Sequence, residues 1–283
     1  MGLKVVNGLK LKNLLALNIL NLFLYGEFCP HTWAVHFPLA SGKRQSPIDI
    51  PSGRGEAVNF SSGLAWTYDS DACDRITNTG HGWKLLVSGN GELWGGPLPS
   101  KFKLEQIHAH WGCTENEGSE HTVDGVAYPG EIHLVHWDSE KYSSFAEAAN
   151  ADGGLAVLGV FITVGDQAHD EIQKIVDALE LIPNKDMTEN LAKTVDPLKL
   201  LPESKAFWNY EGSLTTPPCL ETVNWIVFKT PLTVSKEQIS AFRALRAYAP
   251  EEDKPGDDEF GGQVVQNFRP PMPLCGRVVR DCC

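Results

Sequence analysis

Three histidines in this 283-residue chain have the placement that metal chemistry needs. His108 and His110 stand in His-Ala-His-Trp-Gly, and His133 in Glu-Ile-His-Leu-Val-His-Trp. Residues two apart on a β-strand project from the same face, so His108 and His110 present two imidazoles side by side. His133 follows after enough chain to turn and come back as a neighbouring strand. Three imidazoles converging on one point leave a tetrahedral Zn2+ with one open position, the layout of a catalytic rather than a structural site. Nine histidines occur in the chain, and a His-x-His pair also arises from two unrelated rings. Spacing alone does not decide between these readings, because three-ligand sites lack a signature as specific as paired Cys-x-x-Cys.

Strands must carry such a site, and the sequence supplies them. Short runs rich in Val, Ile and Trp recur at 82–88, 102–111, 131–137, 155–164 and 222–230, punctuated by Gly, Pro, Asn and Asp. Helical spacing is rarer. The segment 166–181 places Ile172, Ile175, Val176 and Leu179 on one stripe and ends before Pro183. The segment 235–247 offers Ser235 as N-cap, with Ile239, Phe242 and Leu245 behind it. No repeat, low-complexity tract or linker divides residues 31–283. The expected fold is therefore mainly β (α+β): a single domain with a large, predominantly antiparallel sheet and a few peripheral helices.

Bulk properties narrow the partners. A hydrophobic content of 42% and a charged content of 21% suit a soluble globule. A formal charge of −12 opposes nonspecific binding to nucleic acid or an anionic membrane. The seven cysteines form no Cys-x-x-Cys pair, which argues against a cysteine zinc site. Residues 1–26 contain Lys4, Lys10 and Lys12 and no acid, followed by an apolar run from Leu14 to Tyr25 that Asn18 and Asn21 interrupt. That run is too short to span a bilayer. It has the outline of a signal peptide without a small-x-small cleavage site, and an unstructured or locally helical extension is the competing reading.

Six segments occur in order: Gln-Ser-Pro-Ile-Asp-Ile at 45–50, His-Ala-His-Trp-Gly at 108–112, Gly-Ser-Glu-His-Thr at 118–122, Glu-Ile-His-Leu-Val-His-Trp at 131–137, Tyr-Glu-Gly-Ser-Leu-Thr-Thr-Pro-Pro-Cys at 210–219 and Asn-Phe-Arg-Pro at 267–270. Together they resemble the α-class carbonic anhydrases over about residues 31–277. Residues 1–30 form an atypical N-terminal extension and 278–283 a short C-terminal tail. The resemblance implies a twisted, mainly antiparallel ten-stranded sheet with Zn2+ at the foot of a conical cleft. It also implies reversible hydration of CO2 to bicarbonate and a proton by attack of zinc-bound hydroxide. In carbonic anhydrases, metal-bound water has a pKa near 7 instead of about 15.7, a property of that family and not of this sequence.

The resemblance also implies roles. His108, His110 and His133 are the metal ligands. Gln106 and Glu131 hydrogen-bond to His108 and His133, and the backbone carbonyl of Asn267 holds His110. Thr215 donates its single proton to Glu120 and so accepts from the nucleophile, with Tyr210 supporting that network. Thr216 contacts bicarbonate. Val135, Val157, Leu214, Val223 and Trp225 form the dry wall for CO2, although core packing alone would place such residues together. His81 is the proton shuttle, suited by an ordinary imidazole pKa of about 6.5. Anions and sulfonamide-type inhibitors are expected ligands, nucleic acid is not a partner, and a monomer is expected.

Some positions depart from the family pattern. The Trp-x-Tyr segment near the N-terminus is missing. Lys84 and Thr79 stand where many relatives carry asparagine along the cleft wall. Extracellular relatives often pair a cysteine at the position of Cys219 with one near 40, where this chain has Ala40. That tips the expected location toward the cytoplasm, with secretion as the alternative if residues 1–26 act as a signal. Two further functional readings stand beside the enzyme. A catalytically silent related binding module would lack one or more of the three histidines, which are all present. A secreted domain serving mineral deposition would need export and an acidic matrix segment, of which the sequence shows none.

Overall fold

A computed structural model describes Pro30, residues 32–255 and residues 259–282. The signal-like segment and Cys283 lie outside the described residues. In chain order the strands are β1 (Asp49–Ile50), β2 (Glu56–Ala57), β3 (Ala65–Tyr68), β4 (Cys73–Asn78), β5 (Trp83–Val87), β6 (Gly91–Trp94), β7 (Phe102–Trp111) and β8 (Thr122–Val123). They continue as β9 (Gly130–Asp138), β10 (Leu155–Gly165), β11 (Thr188–Val195), β12 (Phe207–Gly212), β13 (Val223–Phe228), β14 (Leu232–Ser235) and β15 (Arg280–Cys282). The α-helices are short: α1 (Trp33–His36), α2 (Phe145–Ala148), α3 (Asp170–Leu179) and α4 (Lys236–Phe242).

The mainly β expectation holds, and the sheet is larger and more mixed than expected. It contains 13 strands, ten of which form one continuous path, β11-β4-β5-β7-β9-β10-β13-β12-β15-β2. Most pairs are antiparallel, but β10 runs parallel to both β13 and β14. The long excursion through α3 and β11 returns the chain in the same direction as β10, which a hairpin cannot do. The six-residue C-terminal tail also does more than expected: its strand β15 pairs with β12 and β2.

Alternation along the central strands separates two layers. On β9, Ile132 and Leu134 enter the main core, while Val135 joins a second cluster on the other face with Glu131 and His133. On β10, Ala156, Leu158 and Val160 face the main core, and Leu155 and Val157 face the second cluster. Helices α3 and α4 cover the main-core face: Ile172, Ile175 and Leu179 of α3 and Ile239 and Phe242 of α4 are buried there. Helix α4 starts where Ser235 caps it, in a reciprocal capping box with Gln238. One face thus packs hydrophobically and leaves the other free to carry polar chemistry.

The main core holds one titratable pair. His136 is buried, with Nε2 2.9 Å from the Tyr68 hydroxyl, and burial lowers its pKa to about 3. The unfolded chain, with an ordinary histidine pKa near 6.5, therefore binds a proton that the folded chain refuses between these limits. Stability from this group is complete above pH 6.5 and falls as pH drops toward 3, on the order of 1 kcal/mol per pH unit. Urea unfolding at pH 7, 6 and 5 tests this with His136→Gln. The deficit of the variant relative to wild type should shrink as the pH falls; a constant deficit contradicts the assignment.

Candidate metal centre

Strands β7 and β9 pair with His108 opposite His133, so the three imidazoles gather on one face. Their ring centroids lie 5.0, 5.1 and 4.7 Å apart. Each ring has one nitrogen occupied by an atom that can only accept. His108 Nδ1 donates to Gln106 Oε1 at 2.9 Å, His110 Nδ1 to the backbone carbonyl of Asn267 at 2.9 Å, and His133 Nε2 to Glu131 Oε1 at 2.8 Å. These bonds fix the tautomers. The lone pairs that remain, on His108 Nε2, His110 Nε2 and His133 Nδ1, converge.

The spacing of the converging nitrogens suits a cation. His133 Nδ1 and His108 Nε2 face each other at 3.3 Å, two lone pairs with no proton between them. A tetrahedral zinc with Zn–N bonds of 2.0–2.1 Å would set its ligand nitrogens about 3.3 Å apart. His110 Nε2 and Glu120 Oε2 are buried with no hydrogen-bond partner among the described residues, and these two atoms lie 3.4 Å apart. Burial pulls the pKa of His108 well below its ordinary value, and the neighbouring His110 and His133 lower it further. Burial likewise lowers that of His110. Three neutral imidazoles and an orphaned carboxylate oxygen fit a divalent metal.

A second cluster, His121, Glu131 and His133, also brings ligand atoms together, but its atoms are committed to one another. Glu131 Oε1 accepts from His133 and from His121 Nδ1 at 2.7 Å, and Oε2 accepts from the backbone N–H groups of Glu120 and His121 at 3.0 and 2.8 Å. Burial would raise the pKa of this carboxyl, yet His121 and His133 outweigh it and hold Glu131 ionised. With Nδ1 of His121 donating, Nε2 is left to accept from Tyr210 Oη, 2.6 Å away. Tyr210 Oη lies 2.8 Å from Ser46 Oγ, which accepts from the Ser213 backbone N–H at 3.0 Å. A continuous chain of hydrogen bonds thus runs from His133 to the loop that carries Thr215. Gly159, opposite His133 on β10, makes room for it, since a Cβ there would come within 2.9 Å of Glu131 Oε1.

Asn267 holds more than one ligand. Besides its carbonyl bond to His110, its side-chain Oδ1 accepts from the Trp111 N–H at 2.7 Å. Its Nδ2 donates to the carbonyls of His81 and Ala109 at 2.8 and 3.1 Å. One side chain therefore ties the half-buried His81 turn to the strand bearing His108 and His110. Gly82 permits this approach, because a Cβ there would meet Asn267 Nδ2 at 2.8 Å.

The expected apolar wall assembles. Val157 pairs with Val135 on one side and Trp225 on the other, Val223 lies in the same buried cluster, and half-buried Leu214 packs against it. The Trp225 ring sits 4.8 Å from that of His133. Thr215 is buried and Thr216 exposed. The bond expected from Thr215 to Glu120 is not formed here: Glu120 Oε1 accepts from the Arg269 backbone N–H at 2.9 Å, and Oε2 has no partner among the described residues. Tyr210 reaches His121 and Ser46 rather than Thr215 directly. Sequence reading assigned no role to His121, Ser46 or Arg269, although all three lie inside its motifs. Arg269 is buried and donates to Gln45 Oε1 and to the carbonyls of Ser46 and Ala40. Cys219 is free and packs with Trp33 and with Ala40, the residue at the position where a pairing cysteine would stand.

A large mixed sheet brings three histidines together on one face, a group that could hold a metal ion. A sequence profile of the eukaryotic-type carbonic anhydrases matches residues 29–283. Carbonic anhydrase 1 of Monodelphis domestica is 40% identical over 264 residues, covering 92% of this chain and 97% of its own. Carbonic anhydrase 7 of Mus musculus is 42% identical and that of Homo sapiens 41%, each over 254 residues, 89% of this chain and 93% of theirs. The chain belongs to the eukaryotic-type, or α-class, carbonic anhydrase family.

Orientation of the rings by their outer partners carries a measurable cost. Gln106→Leu should lower zinc affinity by roughly ten- to a hundred-fold, the usual effect of removing such a partner, with little loss of thermal stability. Competition against a chelator of known affinity reads this directly. An unchanged affinity would show that Gln106 does not orient His108.

Proposed function

We propose that this protein catalyses the reversible hydration of CO2 to bicarbonate with Zn2+ held by His108, His110 and His133. The observation that carries the reading is the convergence of three lone-pair nitrogens, each fixed by an acceptor on the far side of its ring. Zinc, when bound, supplies a Lewis acid that makes water nucleophilic near neutral pH. Neutral ligands suit that purpose because they offset none of the ion's charge.

The chain's own groups supply the rest. Val135, Val157, Leu214, Val223 and Trp225 keep water off one wall, which favours an apolar substrate such as CO2. Thr215, once its hydroxyl donates to the unpartnered Oε2 of Glu120, would orient the nucleophile by accepting a hydrogen bond from it, and Thr216 would contact bicarbonate. The buried chain from His133 through Glu131, His121 and Tyr210 to Ser46 keeps that loop in register with the ligand set. Burial raises the Tyr210 phenol well above its ordinary pKa, so it stays protonated as a hydrogen-bond donor. His81, on the turn tied by Asn267, carries the released proton to solvent. No helix among the described residues is long and apolar enough to cross a membrane.

His108→Ala should abolish tight zinc binding and CO2 hydration, measured by metal analysis and stopped-flow pH change; full activity in that variant refutes the ligand set. His81→Ala should slow turnover about ten-fold or more, within the usual yield of a positioned acid–base group, and added imidazole buffer should restore part of the rate. A rate that neither falls nor responds to buffer removes the relay from His81.

A further inference from the structure

The wall beside the histidines carries a charge that the chemistry above does not use. Lys84 of β5 lies directly opposite His108 of β7, and antiparallel partners share a face with Cβ atoms about 4.5–5.5 Å apart. The flanking pair agrees, since Leu85 and Ile107 both point into the main core behind the sheet. Lys84 is half-buried, and among the described residues its ammonium pairs with no carboxylate and donates no hydrogen bond. Other lysines shielded to a similar degree are compensated: Lys174 reaches Glu171 at 2.8 Å, and Lys229 reaches Asp281. The charged or titratable neighbours at this site are the ligand histidines, neutral when they hold a metal, and the buried carboxylates Glu120 and Glu131, whose two charges a bound dication balances.

With those charges balanced, the Lys84 ammonium is the charge left over, and it raises the potential of the cleft. The group that best relieves it is a small anion from solution. We propose that Lys84 makes the cleft selective for small monovalent anions, bicarbonate among them, over neutral ligands of similar size. The identity of the physiological anion rests on the hydration reading above; the anion preference itself follows from the placement of Lys84. Bicarbonate, as product, is then held more tightly than in a cleft with a neutral residue at this position, and CO2 is indifferent to the charge.

The test uses the full chain loaded with cobalt(II), titrated with thiocyanate and separately with neutral imidazole at low salt and followed by visible absorption. Lys84→Met should weaken thiocyanate binding about four- to eight-fold, as expected for unit charges about 7–10 Å apart at an effective dielectric constant near 40. Imidazole affinity should not change, Lys84→Arg should restore thiocyanate affinity, and added salt should erase the difference between variants. Unchanged thiocyanate binding in Lys84→Met, or equal weakening toward both ligands, overturns the proposal. Wild-type CO2 hydration is measured in parallel. A Lys84 effect without turnover keeps the anion preference and removes the enzymatic reading, whereas turnover without a Lys84 effect does the reverse.

Discussion

Three imidazole nitrogens that converge on one point are the constraint around which this molecule is built. Buried lone pairs brought within 3.3 Å repel unless a cation lies between them. The protein creates that situation by occupying the opposite nitrogen of every ring with an acceptor: a side-chain amide, a backbone carbonyl and a carboxylate. Tautomer choice, not proximity alone, turns a histidine cluster into a receptor for a metal. Were any of the three acceptors replaced by a donor, its ring would flip tautomer and offer a proton where a lone pair is required.

The sheet makes such a polar assembly affordable. Alternate residues of β7, β9, β10 and β13 divide between a large apolar core, capped by α3 and α4, and the face with the histidines. Stability comes from the first face, so the second can hold Glu131, His121, Tyr210 and Ser46 in a buried chain whose donors and acceptors match. Glu131 shows the principle most clearly. It is wholly buried, yet it accepts four hydrogen bonds and remains charged, because an ionised carboxylate with all its lone pairs engaged loses little by leaving water. Asn267 then ties the strand bearing His108 and His110 to the His81 turn.

Away from the histidines, Trp33, Ala40 and Cys219 form a small buried cluster of their own. Ala40 packs beside a free Cys219, whose thiol burial pushes up to about 11.

Much of this was legible in the residues themselves. The two-residue spacing of His108 and His110 placed both on one strand face, and β7 runs over the segment read for it, Phe102–Trp111. Ser235 was recognisable as a cap from its position before an apolar stripe, and α4 begins there. The reason is that strand alternation, helical periodicity and capping are local, set by neighbours a few residues apart. What the linear order could not reveal depends on contacts between distant segments. The acceptor for His110 comes from position 267, the parallel pairing of β10 requires an excursion that returns, and the tail after 277 enters the sheet because β12 leaves an edge unpaired. Nor could it show that Glu120 bonds to the Arg269 backbone while its other oxygen waits without a partner. Those features are decided by which groups are left unsatisfied once the sheet has closed, and only the folded chain determines that.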